Sequence, residues 1–131
     1  MKKKLQAKIP LPSPPPQRTP DFISTYANNL IFEASAWDLK LIFGQLDQSS
    51  GTAVVKQHLA VTIPWPQAKL ALFWLRVQIE GIETQSGKIP IRQDLIPSEL
   101  PPITQEQEKD PAAKKFYQRY SELRAEFIKS L

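Results

Sequence analysis

Apolar and polar residues alternate from Tyr26 to Ile63, and beyond Pro64 the apolar ones recur every three to four residues. A period of two belongs to half-buried strands and a period near 3.6 to helices. The alternating part divides into three strands. Tyr26–Ala34 sets Leu30, Phe32 and Ala34 against Asn29, Ile31 and Glu33, and Ser35-Ala36 reads as a short turn. Trp37–Leu46 sets Trp37, Leu39, Leu41 and Phe43 against Asp38, Lys40 and Ile42. Gln48–Gly51 is a loop. Ala53–Ile63 sets Val55, Leu59, Val61 and Ile63 against Lys56, His58 and Thr62. Short links between successive strands predict an antiparallel meander.

Pro64-Trp65-Pro66 ends the alternation, and a proline suits the first turn of a helix. A helix over Pro66–Gln85 follows, with Gly87 as its stop. Its centre, Ala68–Ile82, holds few polar residues. Ala68, Ala71, Leu72, Leu75, Ile79 and Ile82 form one apolar row. Leu70, Phe73, Trp74 and Val77 form a second, and Gln67, Lys69, Arg76, Glu80 and Glu83 supply the wet side. A helix apolar nearly all round is buried on two sides. One side belongs to its own sheet; another part of the chain or a second subunit would cover the other. The expected architecture is α+β: a three-stranded antiparallel meander with one long helix packed on it, plus a C-terminal amphipathic helix.

Four stretches follow. Residues 1–20 carry Lys2, Lys3, Lys4, Lys8 and Arg18, no acid, and six prolines. Closely spaced prolines forbid helix and sheet ladders, so these residues read as a disordered basic arm. Such an arm is a solvated tail, a tether to an acidic partner or a ligand for an aromatic groove. Residues 24–90 read as the α+β core domain and residues 91–110 as a proline-rich linker. Residues 111–131 read as an amphipathic helix with Asp110 as its N-cap and Pro111 at its first position. Phe116, Tyr120, Leu123 and Phe127, spaced four, three and four apart, form a seam. Two heptads are marginal alone in water, so this helix needs a docking surface.

The run Tyr26-Ala27-Asn28-Asn29-Leu30, with Ser35-Ala36-Trp37-Asp38-Leu39 and Phe43-Gly44, resembles the opening of a widespread prokaryotic family of small domains of unknown function. Ala68-Lys69 and Gly87 match that family's helix and stop, whereas its usual serine cap falls on Pro64. The resemblance covers residues 24–90 and implies the fold, without an activity. A fainter likeness, in strand order and the Tyr-Asn opening, points to the bacterial export chaperone fold.

Charge changes the picture little. The arm holds five of the seventeen basic residues, leaving twelve against thirteen acids elsewhere. The net +4 and the pI near 9.4 therefore belong to the arm. Basic residues on the last helix, Lys114, Lys115, Arg119 and Arg124, are interleaved with Glu122 and Glu126, which argues against a nucleic-acid face. There are no cysteines, so disulfides and thiol chemistry are excluded, in keeping with a cytoplasmic setting. The apolar run is too short and too charged to span a membrane.

His58 is the only histidine and lacks an evident orienting partner, while Asp38 and Glu33 lie near Lys40 as a charge pair would. Four glycines form no phosphate loop. No catalytic, metal or cofactor site is expected, and the chain reads as a non-enzymatic, oligomeric binding or scaffolding module. Its interface is expected at Leu70, Phe73, Trp74, Val77, Phe116, Tyr120, Leu123 and Phe127. The expected partner is a second copy, as a dimer or dimer of dimers, or another protein. The alternatives are a chaperone-like binder of unfolded chains and a nucleic-acid accessory protein working through its basic arm.

Overall fold

The computed structural model describes residues 14–131. The chain forms two compact units, Met1–Pro64 and Trp65–Leu131. The boundary falls inside the stretch 24–90. The first unit is an antiparallel sheet in the order β1 (Asn29–Ala34), β2 (Asp38–Asp47) and β3 (Val54–Pro64). The second holds α1 (Trp65–Ser86), a short 3-10 turn at Gln93–Leu95, α2 (Gln105–Glu108) and α3 (Pro111–Lys129). The α+β class and the meander are those expected. Most of the basic arm lies outside the described residues.

Local chemistry sets the strand ends. The Ser35 hydroxyl accepts from the backbone N–H of Trp37 at 3.1 Å and of Asp38 at 3.0 Å, and donates to the Asp38 carboxylate at 2.8 Å. This polar knot closes the first hairpin and leaves Trp37 at its tip, 85% exposed. At the other end, the Asn28 side-chain oxygen accepts from the Leu46 N–H at 2.9 Å, and the Asn28 N–H donates to the Gly44 carbonyl. Asn28 thus clamps the entrance of β1, which begins at Asn29 rather than at Tyr26. Glu33 lies opposite Lys40, with the ion pair at 3.5 Å.

The alternation predicted for β3 fails at one point. Phe43 pairs with Leu59 and the adjacent Gly44 with Gln57, so His58 is an extra residue in β3. A bulge of this kind shifts the side-chain phase of one strand by a residue. Leu59, Val61 and Ile63 remain level with Phe43, Leu41 and Leu39. Below the bulge, Lys56 comes level with Gln45 and joins that face, while Val55 comes level with Leu46 on the opposite face. The expected grouping of Val55 with Leu59 and Val61 is corrected accordingly. Trp37 is likewise in the turn and not on the strand.

The bulge also brings Lys56 to Asp47, with Nζ and carboxylate 2.8 Å apart. The Lys56 ammonium, and after it Ser49, hold the Asp47 carboxyl below the ordinary carboxylate range. A carboxyl depressed in the folded state adds stability above its unfolded pKa, near about 4, and that contribution fades as pH falls further. Asp47→Asn should therefore flatten the acid limb of a stability–pH profile below about pH 4 while changing its neutral shape little. An unchanged acid limb in chemical denaturation would refute this.

In the helical unit, Pro66 stands in the first turn of α1 and Gly87, at φ +83°, ends it. A left-handed residue at this place suits glycine, and the Gly87 N–H donates to the Glu83 carbonyl at 3.0 Å. Residues 91–110, expected as linker, contain the 3-10 turn and α2. Thr104 and Gln107 close a capping box on α2. The Asp110 carboxylate accepts from the Ala112 N–H at 2.9 Å and caps α3, with Pro111 at its first position. The extended stretch 97–102 is pinned to α3 by its carbonyls. Tyr117 donates to Pro101, Tyr120 to Ser98 at 2.7 Å, and Arg124 Nε to Pro97 at 2.7 Å.

Candidate functional site

The candidate surface is built on α1. At about 100° per residue, Leu70, Phe73, Trp74 and Val77 share one face and Leu72, Leu75, Ile79 and Ile82 lie on the opposite one. Two polar strips divide them: Lys69, Arg76, Glu80 and Glu83 on one flank, Gln67, Gln78 and Gln85 on the other. Arg76 and Glu80 pair at 3.5 Å along the first strip. Phe73 and Trp74 stack edge to face, with centroids 5.1 Å apart and planes at 76°. Both rows stay exposed. Leu70, Phe73 and Trp74 keep more than half of their surface, and Val77 keeps 41%.

The four residues expected on α3 divide between two tasks. Leu123 and Phe127 look across an open groove of about 490 Å³ at Leu72, Leu75 and Ile79. Tyr120 is half-buried against the 97–102 stretch, and Phe116 lies beside it with ring centroids 6.3 Å apart and 61% exposed. The groove thus lies between α3 and the first row of α1, whose Leu72 and Leu75 still keep more than half of their surface. Leu70, Phe73, Trp74 and Val77 do not line it. Sequence periodicity showed the α3 seam, but could not show which row of α1 it would meet.

Burial sharpens the contrast. Among the described residues no hydrophobic side chain is buried, and Gly44 is the only buried residue. Large contiguous apolar patches are uncommon on soluble monomers and occur at protein, membrane and ligand contacts alike.

Elsewhere the structure offers little convergent chemistry. His58 Nε2 and the Thr25 hydroxyl lie 3.4 Å apart beside the Asp47–Lys56 pair, in an open polar hollow also lined by Tyr26. The bulge gathers these groups, which the strand pattern did not suggest. Among the described residues no group of histidine and carboxylate side chains could hold a metal ion, and no helix is long and apolar enough to cross a membrane.

No family model, curated protein or solved structure matches this chain, so the resemblance drawn above stands on the quoted motif residues alone.

Proposed function

We propose that this chain is a non-enzymatic binding or scaffolding module that works by burying the apolar surface of α1 against another polypeptide, in a cytoplasmic setting. One observation carries the reading: a 22-residue helix is apolar on two opposite faces, and none of its side chains is buried within the chain. Fully burying a large aliphatic or aromatic side chain is worth about 1.5–3 kcal/mol, so even partial coverage of Leu70, Phe73, Trp74 and Val77 favours association. A fixed oligomer would keep this surface covered. A chaperone-like binder of unfolded chains would use the same residues and leave them open between clients.

Light scattering and binding of a hydrophobic dye, measured on the same full-length sample, test the reading. The expected result is either an oligomer that stays dark to the dye or a monomer that binds it. Phe73→Asp should reduce whichever signal is present and leave the helical circular dichroism unchanged. A monomer that ignores the dye would overturn the proposal.

A further inference from the structure

We infer that the occupant of the Leu70–Val77 face is α1 of a second copy of this chain, lying antiparallel across a two-fold axis. This deepens the reading above, on which it rests. Two independent features of α1 select that occupant, one of charge and one of shape.

The charged strip is segregated along the helix. Lys69 and Arg76 occupy its first half, Glu80 and Glu83 its second. An antiparallel two-fold sets the strip of one helix beside the same strip of the other with its direction reversed. Lys69 then lies near Glu80 of the second copy, and the same pair recurs on the other side of the axis. A parallel pair would instead set this strip beside the Gln67, Gln78 and Gln85 strip of the other helix, which leaves its charges without partners across the interface. Arg76 is turned further from this face and is held by Glu80 of its own helix at 3.5 Å.

The apolar face is uneven in the complementary sense. Gly81 lies on it one turn beyond Val77, and a Cβ there would meet nothing within 4 Å. It leaves a notch beside a row of large side chains. In the antiparallel register that sets Trp74 of one helix against Val77 of the other, Leu70 falls opposite this notch. Large meets small at both of these pairs, and the same match is made twice, as an isologous interface requires.

The basic arm is a poor competitor by sequence, because closely spaced prolines are incompatible with a helix that presents an apolar row. Two helices of 22 residues, each about 33 Å long, make a contact at the small end of specific interfaces. The dimer should accordingly dissociate in about the micromolar range.

Sedimentation equilibrium on full-length protein tests the pairing through three substitutions. Gly81→Leu improves local helix propensity and finds open space within its own chain, so a fold defect is not expected from it. It should weaken the dimer about tenfold or more by filling the notch. Lys69→Glu and Glu80→Lys should each weaken it severalfold, and the double swap should restore it. A dimer indifferent to Gly81→Leu, or a double swap no better than the singles, would overturn the antiparallel pairing while leaving the surface proposal standing. A wild-type monomer that binds the hydrophobic dye would also overturn the second copy as occupant, in favour of a client polypeptide. A monomer that ignores the dye would overturn both.

Discussion

Gly44→Ala lowers the melting temperature by several degrees, an expected loss of about 1–3 kcal/mol. Alanine for glycine within a strand normally gains stability, because it narrows the unfolded ensemble. Here the sign reverses for a steric reason. A Cβ at position 44 would stand 2.8 Å from Val55 Cγ1 and 3.1 Å from the Lys56 carbonyl oxygen. The valine can rotate, but the carbonyl belongs to the bulged strand and moves only with its backbone. Gly44 also pairs at the bulge and accepts the Asn28 N–H, so a displaced Gly44 would disturb the entrance of β1 as well. Thermal melting followed by circular dichroism checks this, and a melting point at or above the parent's would contradict it.

Arg124→Ala has the second-largest expected effect. Its Nε donates to the Pro97 carbonyl at 2.7 Å, and its NH1 lies 3.5 Å from Glu99. The side chain keeps only 24% of its surface, low for an arginine on a helix of this chain. A hydrogen bond from a charged donor contributes about 1.5–3 kcal/mol when well shielded, and solvent access here places the value near the lower end. The loss should be local. Residues 97–102, half of them prolines without an amide hydrogen, should become open to proteases, while the sheet keeps its amide protection. Tyr120→Phe, which removes the bond to Ser98 alone, should produce a milder version. Equal protection of the stretch in wild type and Arg124→Ala would show that the proline backbone holds itself in place.

The elements legible from sequence were those that repeat. Three strands and two long helices announced themselves by period, and Pro66, Gly87, Asp110 and Pro111 marked helix ends by backbone chemistry that acts within a few residues. The bulge at His58 was not legible as a period, because an inserted residue abolishes the regularity used to find the strand. Its trace lay on the neighbouring strand: an interior glycine, Gly44, where two backbones approach closely. The pinning of residues 97–102 left even less of a trace. Tyrosine and arginine donate there to backbone carbonyls, which every residue possesses, so no pairing pattern appears in the side chains. The apolar surface of α1 was visible as two rows, but which row meets α3 depends on the path of residues 88–110.

The placement of the three tryptophans makes the chain its own optical reporter. Trp37, carried at the hairpin tip by the Ser35 knot, is 85% exposed and already emits from water. Trp65 opens α1 and Trp74 sits in the middle of its exposed face. Unfolding would move little of the Trp37 signal, which forms a steady red-shifted background. In the proposed dimer, dilution through the association midpoint would act mainly on Trp74, blue-shifted when covered and red when released. Emission colour would then follow the company the chain keeps more closely than its folding, and a Trp37→Phe variant would sharpen that reading without touching the helices.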